Sequence, residues 1–132
     1  MKVCVIGLKR QQYPKNVIKD FLQYLQSEMP LHEDVRIILT PTREGHMTTG
    51  VREPNEIRVL SGGRMLIDVL RTLVHEWVHE FQHQKLGVPD DVAHPEIGGP
   101  IENMASVLAS IFLKKFQHLF PKHTNFLYEK AH

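Results

Sequence analysis

A single cysteine, Cys4, stands among the 132 residues, so no intramolecular disulfide can form. Neither a disulfide-stapled secreted scaffold nor a cysteine-rich structural zinc site is open to this chain. Any metal would have to be held by histidine and carboxylate. An excess of charge is also missing: 16 Lys and Arg against 15 Asp and Glu leave a formal +1, which gives no general pull toward nucleic acid or anionic membrane. Long hydrophobic runs are lacking too. The stretch Met1 to Leu8 is too short for a signal-peptide core, and nothing later approaches a membrane span. The expectation is a soluble cytoplasmic protein with no nucleic-acid or membrane partner. No repeat or low-complexity tract appears, and 42% hydrophobic content suits one ordinary core, hence one domain over 1–132.

What the chain does have is periodicity. Val3 to Leu8 reads as a short strand. After Pro14, Val17, Ile18, Phe21, Leu22 and Leu25 recur at helical spacing until Pro30. Val35 to Leu39 is β-branched and bounded by turn residues, Thr48 to Val51 could form an exposed edge, and Glu56 to Leu60 alternates as a half-buried strand does. A long helix is expected to start near Ser61-Gly62-Gly63, run through Leu66, Leu70, Leu73, Trp77 and Phe81, and stop before Gly87 and Pro89. Pro100 suits the first turn of a further helix, with Ile101, Met104, Leu108, Ile111, Phe112 and Leu119 as its apolar stripe. The fold class that follows is α+β: a small, mostly antiparallel sheet, a central helix, and a last helix crossing it.

The chain is also rich in histidine, with nine, and two of them lie in His75-Glu76-Trp77-Val78-His79 within the central helix. Residues four apart on an α-helix are about 40° apart in projection, so both rings can aim a nitrogen at one ion. Glu76, about 100° round from His75, falls beside that ion, where it can take a proton from metal-bound water as a base rather than a ligand. A zinc ion with three protein ligands keeps a fourth position open, acidifies water and polarises a carbonyl, which is the chemistry of peptide hydrolysis.

A third ligand is needed. The metzincin pattern asks for histidine at position 85 and glycine at 82, where this chain has Lys85 and Gln82. Three candidates remain. His83 is about 12 Å along the helix axis from His75, too far to share its ion. His94 lies in the loop after the helix. Glu102 opens a helix whose Ala105 and Ala109 permit close crossing of the central one, and a carboxylate there completes a His, His, Glu zinc set.

The segments His75-Glu76-Trp77-Val78-His79 and Gly99-Pro100-Ile101-Glu102-Asn103-Met104-Ala105 together resemble the gluzincin-type metallopeptidases, above all the minimal phage- and prophage-encoded ones, over Leu73 to Phe116. The resemblance implies one zinc per chain on His75, His79 and Glu102, Glu76 as general base, a peptide or protein substrate, and the strand ending near Leu60 as the edge along which an extended peptide aligns. It also marks a departure. The larger gluzincins carry an acidic residue four positions after the ligand glutamate to orient a ligand histidine, and Ser106 stands there. No residue matches the oxyanion-stabilising Tyr or His, for which His94, His118, His123 and Tyr128 are all candidates.

Two other readings compete. His94, fourteen residues after His79, is similar in placement to the loop ligand of SprT-like proteases of DNA-bound proteins, although Pro95 stands where that family has glycine. A zinc-stabilised binding or assembly module would keep the ligands without turnover. Trp77 and Phe81 follow the core stripe, Lys114, Lys115, Lys122 and Lys130 suit a solvated face, and Cys4 is expected to be a small buried hydrophobe.

Overall fold

The computed structural model describes residues 3–6, 13–45, 47–88 and 100–129. Strand β1 (Val3–Ile6) is followed by helix α1 (Lys15–Glu28), then β2 (Val35–Thr40), β3 (Gly50–Glu53) and β4 (Glu56–Leu60). Helix α2 (Leu66–Leu86), helix α3 (Pro100–Leu119), a 3-10 turn at Pro121–His123 and the short α4 (Thr124–Leu127) complete the described elements. None of the described helices is long and apolar enough to cross a membrane.

The four strands form one sheet in the order β1-β2-β4-β3. It is mixed rather than mostly antiparallel, because β1 pairs with β2 and β2 with β4 in parallel, leaving only β3 with β4 antiparallel. The reason lies in the connections. Helix α1 carries the chain back to the end from which β1 started, as a parallel pair requires. The chain then leaves β2, comes down as β3 one strand away, and returns as β4 into the gap between them. Pro54-Asn55 makes that return, with Asn55 in the left-handed region at φ 62°, a conformation that asparagine tolerates better than most residues. The insertion makes β4 an interior strand, so the free edge beside α2 belongs to β3 and not to the strand ending at Leu60.

Alternation along β2 and β4 buries Val35, Ile37, Leu39, Ile57 and Val59 on one face, while exposed Arg36 and partly exposed Glu56 and Arg58 mark the other. The helices cover the buried face. Helix α1 contributes Val17, Ile18, Phe21, Leu22, Tyr24 and Leu25, and Phe21 meets Phe116 of α3 edge-on at 4.8 Å between ring centroids, a favoured aromatic geometry. Cys4, by contrast, is exposed, since the β1 alternation turns Val3 and Val5 inward and Cys4 out.

Helix α2 starts five residues later than its sequence pattern suggests. Gly63 takes φ +71° and Gly62 lies against Pro41 with no room for a Cβ, so this stretch is a tight turn, and the helix begins after it. Gly87, at φ 71°, ends it in a left-handed cap. Between these limits α2 is surrounded: Leu66, Leu70, Leu73, Val74, Trp77 and Val78 are buried, and Trp77 Nε1 donates to Met29 O at 2.9 Å. On α3 the buried row is Ala105, Ala109, Phe112, Leu113 and Phe116, whereas Ile111 and Leu119 of the expected stripe are exposed. The small alanines, not the larger aliphatic residues, mark the crossing with α2, because only they let two helix backbones approach closely.

A buried acid anchors the edge hairpin to α2. Glu80 has no solvent exposure; its Oε1 accepts from Arg52 Nε at 3.2 Å and from the Asn55 backbone N–H at 2.9 Å, and its Oε2 accepts from Gln84 Nε2 at 3.0 Å. Removing one partner of such a buried pair leaves the other charge uncompensated. Glu80→Ala is therefore expected to destabilise the fold by about 3–5 kcal/mol in urea unfolding; a loss below about 1 kcal/mol, the range of an exposed pair, would show that the network is not an anchor.

Candidate metal centre

His75, Glu76 and His79 sit in the middle of α2, between the sheet edge at β3 and the first turn of α3. Glu102, in that first turn, faces both histidines. His75 Nε2 lies 3.0 Å from Glu102 Oε2, His79 Nε2 lies 3.0 Å from Glu102 Oε1, and the two Nε2 atoms are 3.1 Å apart. His79 is buried, while His75 and Glu102 keep 29% and 26% of their side-chain surface exposed, so the cluster is closed on the core side and open on the other. Glu76 joins it, the ligand atoms of His75, Glu76 and His79 lying within 4.8 Å of one another in a group that could hold a metal ion.

The hydrogen bonds around His79 determine which nitrogen faces the cluster. Gln82 Nε2 donates to Ile101 O at 3.1 Å, which turns its Oε1 toward His79, where it accepts from Nδ1 at 2.9 Å. In the neutral ring this bond places the proton on Nδ1 and leaves a lone pair on Nε2. That lone pair faces one carboxylate oxygen of Glu102, and the Nε2 of His75 faces the other. A shared cation is what relieves such a convergence. Donor atoms 2.0–2.1 Å from a tetrahedral ion stand about 3.3–3.4 Å apart, and the observed separations fall within a few tenths of that.

Glu76 is of a different kind. It is buried, and among the described residues its Oε2 has no hydrogen-bond partner. Burial and, after it, the negative charge of Glu102 push its carboxyl up to about 7, against a smaller opposing pull from Arg52. Gly50 of the edge strand lies directly over it: a Cβ there would come within 2.5 Å of Thr72 Cγ2 and 3.3 Å of Glu76 Cγ, so the strand can run this close to α2 only as glycine.

Comparison with protein families, with curated proteins and with solved structures finds no match to this chain. The chemistry of the site therefore rests on its own geometry.

Of the residues singled out by sequence, His75, Glu76, His79 and Glu102 come together. His83 stays apart, its Nδ1 donating to Val88 O at 2.9 Å. His94 lies outside the described residues. His118 is about 24 Å along α3 from Glu102, beside Lys114, Lys115 and Leu119. His123 is buried against Asp20 Oδ2 at 2.8 Å, and Tyr128 OH reaches Gln117 at 3.5 Å. None of these three borders the cluster.

Gln82 is the residue that sequence reasoning missed. Its signal was its position three residues after His79, on a neighbouring helix face, but its second partner on α3 is visible only in the fold. It ties the orientation of His79 to the residue beside Glu102, supplying the support that Ser106 does not. Loss of such an outer partner typically costs about 10–100-fold in metal affinity. Gln82→Ala should show that drop in a competition titration with a zinc-binding dye; unchanged affinity would mean that His79 is held by packing alone.

Proposed function

We propose that this chain is a minimal zinc metallopeptidase of the gluzincin type, with His75, His79 and Glu102 as metal ligands and Glu76 as general base. The observation that carries the reading is the closing of Glu102 onto both imidazoles while Glu76, buried and with an unpartnered oxygen, stands beside them at an open cleft. Two histidines and a carboxylate suit zinc. When bound in such a three-ligand set, zinc acts as a Lewis acid that acidifies water and polarises a carbonyl.

The division between the two carboxylates follows from their surroundings. Both oxygens of Glu102 already lie against imidazole nitrogens, as a ligand's would. Glu76 keeps an oxygen in reserve, and its elevated proton affinity suits a group that takes a proton from water and returns it to the leaving amide nitrogen. With a cation held at the cluster, the charge of Glu102 would be offset and the basic form of Glu76 favoured.

The cleft, of about 390 Å³, is bounded by Thr48, Thr49 and Gly50 on one side and by Arg71, Thr72 and Glu102 on the other. Strand β3, which among the described residues pairs only with β4, leaves its outer edge beside this opening. An extended peptide can add there through backbone hydrogen bonds, a role that passes to β3 from the strand ending at Leu60. Three protein ligands with an open side favour catalysis over a purely structural zinc site, which fills all four positions.

Wild-type protein reconstituted with zinc should hold about one ion per chain and cleave unfolded casein. Glu76→Gln should keep the zinc and lose about 10²–10⁴-fold in kcat, whereas His75→Ala, His79→Ala and Glu102→Ala should each lose the metal itself. Full activity in Glu76→Gln would overturn the mechanism.

A further inference from the structure

The cleft beside the cluster is unusual in what faces it. Besides Glu76 and the two partly exposed members of the cluster, its lining is Thr48, Thr49, Gly50, Arg71 and Thr72, so among the described residues no side chain more apolar than threonine borders it. Such a lining does not select a substrate by burying a hydrophobic side chain. Apart from the carboxylates of Glu76 and Glu102, it offers threonine hydroxyls and one cation.

That cation is Arg71. It stands four residues before His75, on the same face of α2 and about 6 Å along the axis. Its Nη1 donates to Ser110 Oγ of α3 at 3.3 Å, which places the guanidinium at the mouth of the cleft between the two helices. Arg36, Arg52 and Arg58 each pair with a glutamate. Arg71 does not, for among the described residues no carboxylate lies within 4 Å of it. Its neighbour Thr72 adds a second donor: Arg64 Nη2 donates to Thr72 Oγ1 at 2.9 Å, so the hydroxyl oxygen is used as an acceptor and its own hydrogen remains to donate.

We infer that Arg71 and the Thr72 hydroxyl form a carboxylate-binding subsite, and that the cleft takes peptides with an acidic group about one or two residues from the bond at the cluster, given a rise of 3.3–3.6 Å per extended residue. The guanidinium fork matches a carboxylate in two parallel hydrogen bonds. The acidic group is an Asp or Glu side chain or a free C-terminal carboxylate. The location of the scissile bond rests on the peptidase reading; the recognition of the carboxylate does not.

The test separates the two. Fluorescent alanine- and serine-based peptides carry one Glu or one Gln at successive positions, each made as a C-terminal acid and as an amide. Their binding is followed by anisotropy on zinc-loaded Glu76→Gln, which does not depend on turnover, and on the same protein carrying Arg71→Gln. A charge-assisted pair of this kind predicts roughly 10–100-fold tighter binding of the acidic twin, falling to near parity with Arg71→Gln. A preference that persists in the amides assigns a side-chain carboxylate, and one that follows the acid and amide twins alone assigns a C-terminus. Equal binding of all twins, or a preference that survives Arg71→Gln, overturns the subsite. Cleavage is scored separately with wild type. Cleavage with no acidic preference sinks the subsite and leaves the peptidase; an Arg71-dependent preference in binding without any cleavage sinks the peptidase and leaves the subsite.

Discussion

Everything in the proposed site depends on the carboxylate of Glu102 standing 3.0 Å from the Nε2 atoms of both His75 and His79. Two histidines on one helix turn supply two directions of a coordination sphere; the third must come from another element. Helix α3 delivers it only because Ala105 and Ala109 are small enough, and buried enough, to let its first turn cross α2 at the level of His79. Bulkier residues at these positions would hold the two backbones apart and carry the carboxylate away from the imidazoles.

Helix α2 carries three duties at successive positions, and this accounts for the burial of 12 of its 21 residues. Trp77 and Val78 fill the core, His75 and His79 face α3, and Glu80 turns to the opposite side, where it fastens the β3–β4 hairpin through Arg52 and Asn55. The hairpin in turn places Gly50 over Glu76. A structural ion pair and a candidate catalytic base are thus joined through a single strand, and loosening Glu80 would be felt at the cleft as well as in stability. Gln82 makes the complementary connection on the other side, from His79 to Ile101 of α3.

What could be read from sequence follows the range of each interaction. The spacing of His75, Glu76 and His79 is a local property of one helix, and Glu102 could be proposed because Pro100 and the alanines announce a helix start and a crossing face. Sheet order could not. Whether β4 pairs beside β2 or outside β3 is decided by the length of the segment after Thr40 and by the anchoring of the Pro54-Asn55 turn on Glu80, neither of which has a local pattern. The same limit hid Gln82 and Arg71, whose meaning lies in partners on α3, and misplaced Cys4, whose short run leaves the direction of alternation open.

The central claim is that a metal ion sits between α2 and α3, with Glu102 as the third protein ligand. Diffraction at the zinc absorption edge from crystals grown with zinc tests it most directly. The account predicts one strong anomalous peak per chain, about 2.0–2.2 Å from His75 Nε2, His79 Nε2 and a Glu102 oxygen, with Glu76 outside bonding distance. A peak bound without Glu102, or no peak between the two helices, would contradict it.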